Sequence, residues 1–262
     1  MLIDTHAHVN FKAFDYDFDE VIKRSLGEDV WMINVGSKYE TSKKAVEIAQ
    51  NYNNGVFAAI GLHPIHAQDE EFDKERYKKL ALSGSEGSDK VVAIGEIGLD
   101  KFKDYGSFLK EQKEVFLKQL DLAKELNLPI ILHCRMAHKD LFEILNSSPF
   151  GGSPTGRQLR GVIHCFTGTW EEAKKYLDLG FYIGINGIIY KRDLKEVIEK
   201  VPLEKILIET DCPYLTPPQA ESERNEPIFV RYIAKDIARI KGIDFKTVSQ
   251  TTFQNAADLF NI

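Results

Sequence analysis

Short apolar runs bounded by turn residues recur along this chain at fairly even intervals. They are LIDTH (2–6), VWMINVG (30–36), VFAAIGLHP (56–64), VVAIGEIGLD (91–100), PIILHC (129–134), GVIHCF (161–166), FYIGIN (181–186) and KILIETD (205–211). Runs of this kind suit strands buried on both faces, as in a parallel sheet. Between them, apolar residues recur at spacings of three and four. KEQKEVFLKQLDLAKEL (110–126), WEEAKKYLDLG (170–180), DLKEVIEKV (193–201) and FVRYIAKDIARIKG (229–242) read as helices, with Gly180 a good C-cap. The alternation predicts an α/β fold, a single (β/α)8 TIM barrel spanning residues 1–262 as one domain. SGSEGSD (83–89) and SSPFGGSPTGRQ (147–158) each precede a strand. They are predicted to be surface loops on the N-terminal face of the barrel, away from the usual site.

Composition narrows the picture. Hydrophobic residues make up 43% of 262, enough for a sizeable core, and the formal charge of −6 argues against a generally basic nucleic-acid-binding surface. Any phosphate chain must therefore meet a local site. No run approaches a membrane span, and the N-terminus enters a strand pattern at once, without the charged and apolar regions of a signal peptide. Three cysteines without a CxxC pair suggest reduced thiols. The expectation is an intracellular protein, cytoplasmic or, in a eukaryote, possible in the nucleus, that acts as a monomer and contacts no membrane.

The chemistry begins at IDTHAHVNF (3–11). Residues i and i+2 of a strand share a side, so His6 and His8 can both turn into the barrel mouth. The other strand ends add to them: Glu96 closes strand four, His133 strand five, His164 strand six and Asp211 strand eight. Catalytic groups of such barrels come from the C-terminal ends of several strands. Four imidazoles and two carboxylates at one level suit two divalent ions better than one. Glu96 is expected to bridge them. His6, His8 and Asp211 then hold one ion, and His133 and His164 the other. Two divalent ions against two carboxylates leave a local positive charge that suits a phosphodiester.

The motifs DTHAH (4–8), GLHP (61–64), IGEIGLD (94–100), LPIILHCR (128–135), GVIHCFTG (161–168), GFYIGINGI (180–188), ETDCPYL (209–215) and RNEP (224–227) fall in order over nearly the whole chain. Together they resemble the TatD-type metal-dependent deoxyribonucleases of the amidohydrolase superfamily. The resemblance implies a (β/α)8 barrel that hydrolyses DNA, mainly as a 3′→5′ exonuclease on single strands or 3′ ends. It places the metal ligands on His6, His8, Glu96, His133, His164 and Asp211. It also points to Mg2+, whereas the histidine-rich ligand set favours Zn2+ or Mn2+. The chain departs from the family pattern at Lys101-Phe102-Lys103, Met136 and Cys212. The alternative reading is an amidohydrolase-type hydrolase of another ester or amide.

Around the ligands, Glu96, Asp211 and His63 are the expected catalytic groups. Asp211 takes the nucleophile's proton, and His63 contacts the scissile phosphate or the leaving group; a plain turn histidine ahead of Pro64 is the alternative. Arg135, Arg224 and Asn225 are expected to bind substrate, with loop salt bridges the ordinary reading for either arginine. Glu209 either orients a ligand from behind or pairs with a neighbouring base. Asp4 reads as buried and structural, His66 and His138 as solvated. Phe102 and Tyr214 can stack a base or fill loop core. Cys134, Cys165 and Cys212 each follow a presumed ligand, so alternation turns them away from the metals as small buried fillers.

Overall fold

The structure, a computed structural model, describes residues 1–83, 90–147 and 159–262. The two predicted surface loops fall on 84–89 and 148–158, outside the described residues, apart from Ser83 and Ser147. Eight strands pair in sequence order: β1 (Leu2–Ala7), β2 (Val30–Val35), β3 (Val56–Ile60), β4 (Val91–Asp100), β5 (Ile130–Arg135), β6 (Gly161–Ile163), β7 (Tyr182–Ile185) and β8 (Ile206–Ile208). Every pairing is parallel. The sheet nearly closes on itself. A bridge joins Ala7 to Cys212, and the Asp211 N–H donates to the His6 carbonyl at 2.8 Å. This is the expected (β/α)8 barrel.

Helices α1 (Phe18–Gly27), α2 (Tyr39–Gln50), α3 (Lys74–Ala81), α4 (Leu109–Leu126), α5 (His138–Asn146), α6 (Trp170–Asp178), α7 (Lys195–Lys200) and α8 (Val230–Lys241) follow the strands in turn. Their ends obey local chemistry. Thr169 opens α6 with a capping box closed by Glu172, and Gly242 ends α8 at φ 67°. Among the described residues, no helix is long and apolar enough to cross a membrane.

Burial sorts the strand residues into two cores. Ile60, Ile94, Ile130, Ile163 and Ile208 face outward onto the helices. Ile3, Ile33, Ala59, Ile131, Val162 and Leu207 form a second, separate cluster inside the barrel. A further helix, α9 (Phe245–Phe260), which the sequence reading did not single out, joins the inner cluster through Ala256, Leu259 and Phe260. It plugs the N-terminal end of the barrel.

Two irregularities set the site. Counting by twos from inward Ile3 would turn Thr5 and Ala7 inward. The β1–β2 register shifts between Asp4 and Ala7, and Ala7 faces the outer core, which leaves His6 and His8 for the mouth. Strand β4 does not end at Glu96. It runs on to Asp100 after a register shift between Ile94 and Ile97, so Glu96 lies inside the strand and Asp100 ends it.

Candidate metal centre

The mouth opens into a cleft of about 1190 Å3, lined among others by His8, His63, Glu96, His133, His164 and Asp211. His6 is fully buried just beneath. His63 lies beyond β3, His164 directly after β6, and Asp211 beyond β8 in a left-handed conformation at φ 60°. Four close groups form among the described residues: His6–His8–Asp211, His6–Glu96–His164, His63–Glu96–His133 and His164–Cys165–Asp211. The pairing of His133 with His164 expected from the sequence is not among them. Both nevertheless approach the same oxygen of Glu96, Oε1, His133 at 2.8 Å and His164 at 3.8 Å.

The two oxygens of Glu96 face opposite ways. Oε2 is 3.4 Å from His6 Nε2, while Oε1 is 2.8 Å from His133 Nδ1, 3.3 Å from His63 Nε2 and 3.8 Å from His164 Nε2. Burial opposes ionisation of this carboxyl, but the surrounding histidines, His63 and His6 foremost, hold it well below the usual carboxylate range. Asp211 behaves similarly. Burial would raise it, yet His8, at 3.5 Å, and His164 bring it down.

Most of the imidazoles are gripped from behind, which decides what their inner nitrogens offer. His8 Nδ1 donates to the Val35 carbonyl at 2.8 Å, so Nε2 presents its lone pair to the mouth. His164 Nδ1 forms an ion pair with Glu209 Oε1 at 2.8 Å, leaving Nε2 inward. His133 Nε2 lies 3.0 Å from Asp100 Oδ2, with Nδ1 toward Glu96. This carboxylate–imidazole backing is the usual outer support of a metal-binding histidine. Burial works against protonation of His133 and His164, but their carboxylate partners outweigh it and raise them to about 9 and about 10. His6 has no such support. Among the described residues its Nδ1 has no hydrogen-bond partner, its ring stacks on His164 at 3.4 Å, and burial followed by the His164 charge lowers it to about 4. His63 differs in kind. Its Nδ1 accepts the Ile65 N–H at 3.2 Å, so the neutral ring carries its proton on Nε2, facing Glu96.

The donor set fits divalent ions. His6 and His8 Nε2 are 3.2 Å apart. Two nitrogens on one tetrahedral ion at 2.0–2.1 Å stand about 3.3 Å from each other. Two like-natured imidazole nitrogens at that spacing, with carboxylate oxygens beside them, gain little from one another and much from a shared cation.

The remaining candidates divide. Arg135 is exposed at the cleft edge, its guanidinium 3.7 Å above the Phe102 ring. Tyr214 also lines the cleft and is 56% exposed. Arg224 is not brought to the mouth. It binds Asp17 through two hydrogen bonds of 2.9 and 2.5 Å, meets Glu226 at 3.1 Å, and packs over Phe14. Asn225 is buried and donates to the carbonyls of Thr210 and Tyr214, so it shapes the loop behind Asp211. Glu209 holds His164, the Cys165 N–H at 2.6 Å and Asn186. Asp4 is buried and accepts from the Thr210 N–H and hydroxyl, as the structural reading expected. His138 is not merely solvated: its Nδ1 lies 3.0 Å from the Tyr176 hydroxyl and 3.3 Å from Cys134 Sγ. Alternation also fails at Cys165, where φ of 45° breaks the strand and the side chain lines the cleft. Asp100 was missed outright; its signal was the last letter of IGEIGLD, two strand steps beyond Gly98.

Residues 3–261 match the family model described as TatD related DNase. A metal-dependent hydrolase of Bacillus subtilis, YabD, named as uncharacterized, is 42% identical over all of both chains. The protein of Cronobacter sakazakii named 3′-5′ ssDNA/RNA exonuclease TatD is 37% identical, over 99% of this chain and 97% of its own. Among solved structures, the TatD homolog YJJV of Escherichia coli superposes with a TM-score of 0.87 at 29% identity, covering 100% of this chain and 98% of that one.

Proposed function

Since this chain belongs to the TatD-related DNase family and is a metal-dependent hydrolase, we propose that it degrades single-stranded DNA from the 3′ end, using two divalent ions. The observation that carries the reading is Glu96, whose two oxygens face two separate sets of ligands. His6, His8 and Asp211 would hold one ion, and His133 and His164 the other, with Glu96 available to both. When bound, such ions acidify water and offset the charge on a phosphodiester.

The chain's own groups supply the rest. Asp211, partly open to the cleft, accepts the proton of the attacking water. His63 donates from Nε2–H to the departing 3′-oxygen of the penultimate nucleotide, a role its backbone-fixed tautomer suits. Glu209 and Asp100 orient His164 and His133. Arg135 meets a backbone phosphate, and Phe102 and Tyr214 offer faces to bases. The relative named as a 3′-5′ ssDNA/RNA exonuclease supports both the polarity and the substrate. The nitrogen-rich set favours Mn2+ or Zn2+, and the second, more exchangeable position takes Mg2+.

The test uses chelator-stripped protein, 5′-labelled single-stranded DNA, and Mg2+, Mn2+ or Zn2+ added in turn, with Glu96→Ala as control. A ladder shortening from the 3′ end, dependent on metal and absent in the variant, is expected. Intact DNA with every metal would overturn the nuclease reading and move the site to another ester or amide.

A further inference from the structure

Beyond the ligands already described lies a fourth close group, His164, Cys165 and Asp211, whose donor atoms fall within 4.8 Å of one another. We propose that Cys165 gives the centre an alternative, sulfur-containing ligand set that captures thiophilic divalent cations of the Zn2+ and Cd2+ class. Such an ion would withdraw His164 and Asp211 from the nitrogen and oxygen set used with harder ions. The inference rests on the metal reading of these two residues given above.

Three observations carry it. First, His164 Nε2 is nearly equidistant from two carboxylates, 3.8 Å from Glu96 Oε1 and 3.9 Å from Asp211 Oδ1. The same nitrogen can serve either set without moving its ring, which Glu209 holds from behind. Second, the backbone of Cys165 is built for this placement. Its left-handed φ of 45° ends the alternation that would bury the side chain, and its N–H is fixed by Glu209 Oε1 at 2.6 Å. An L-residue other than glycine takes this conformation at some cost. Third, the thiol is neither sealed nor strongly engaged. It is half-buried on the cleft wall and donates only to Asn186 Oδ1 at 3.5 Å. The other two cysteines differ: Cys212 is fully buried, and Cys134 is buried against His138 and Tyr176.

A thiolate is a soft ligand that selects Zn2+ and its heavier congeners over Mg2+. Ligation is balanced simply: the cation takes the sulfur, and the thiol proton leaves to the buffer. The consequence is a centre that works with hard ions, or with Zn2+ held on nitrogen and oxygen, and is locked once a thiophilic ion takes the sulfur.

The test titrates chelator-stripped protein with Co2+ and Cd2+ and follows absorption. Sulfur-to-metal charge transfer in the ultraviolet is expected for the parent and for Cys134→Ser, and its loss is expected in Cys165→Ser. Cys165→Ala serves as a second variant, and the melting transition of each protein confirms folding. A band retained in both Cys165 variants, or lost in Cys134→Ser, overturns the proposal. Visible ligand-field bands from Co2+ with no charge transfer in the parent would overturn the thiolate while leaving the metal centre standing. No Co2+ binding at all would overturn both.

Discussion

Replacing Asp100 by Asn tests whether the outer carboxylates govern metal binding. Asp100 Oδ1 accepts the Phe102 N–H at 2.7 Å, while Oδ2 faces His133 Nε2 at 3.0 Å. In Asp100→Asn the amide oxygen stays on the Phe102 N–H, because reversing it would set two donors against each other. The amide NH2 then points at His133 Nε2, which must give up its proton and accept. The ring proton moves to Nδ1, the nitrogen that faces Glu96. That nitrogen can no longer bind a cation without losing a proton. Loss of such a partner lowers metal affinity about 10–100-fold, or about 1.4–2.7 kcal/mol. Competition with a chromophoric chelator reads the affinity, and digestion of single-stranded DNA at saturating ion reads the remaining turnover. In a His133→Ala background the same change should add less than about twofold, because the two act as one unit. Affinity equal to the parent's, at an unchanged melting temperature, would refute the reasoning.

Other consequences are equally open to measurement. Glu96→Ala should leave a folded protein without metal-dependent hydrolysis, since both ligand sets lose their common carboxylate; digestion at the parental rate would remove Glu96 from the chemistry. Arg224→Ala should cost no more than about 1 kcal/mol of stability, since Asp17 is partly exposed and Glu226 keeps its two bonds to Arg24, with KM for DNA unchanged; a tenfold rise in KM at constant stability would instead restore Arg224 to the substrate. In ion-free protein, His133 and His164 are raised to about 9 and about 10. Their contribution to stability is full below the ordinary histidine range and is lost as pH rises through those values. The melting temperature of chelated protein should therefore fall between neutral pH and pH 10, and a flat profile would contradict the pairing. Phe260→Ala, which empties the plug of the barrel, should destabilise by about 3–5 kcal/mol in denaturant unfolding; a loss under about 1 kcal/mol would mean that α9 is dispensable.

The barrel was legible because each strand is short, apolar and punctuated, and because β5 keeps a strict alternation from Ile131 to His133. Counting by twos then places His133. Where the backbone departs from that count, the reading went astray. The extension of β4 past Glu96 hid Asp100, and the left-handed turn at Cys165 brought a residue expected in the core to the cleft wall. The β4 departure does carry glycines, Gly95 within the register shift and Gly98 at φ 141°, whereas the turn at Cys165 has none at its critical position to announce it. The partners of Arg224 were hidden for another reason. Its partners, Asp17 and Glu226, belong to opposite ends of the chain, and only the closure of β8 against β1 brings them together. The plug escaped notice because α9 looks like any amphipathic helix until the inner cluster shows what it covers.

That plug has a bearing on how the chain is made. The inner faces of eight strands stay open to water at one end until Phe245–Phe260 arrives, and this helix follows every strand in order of synthesis. A nascent chain that has already brought β8 out of the ribosome still lacks the stopper of its barrel, and the β1 edge must wait for β8 before it pairs. Contacts of such long sequence separation form slowly, and translation adds only about 5–20 residues per second. The polypeptide therefore spends seconds as an unstoppered, unclosed sheet, in which chaperone engagement and premature pairing between ribosome-bound neighbours compete with the last helix.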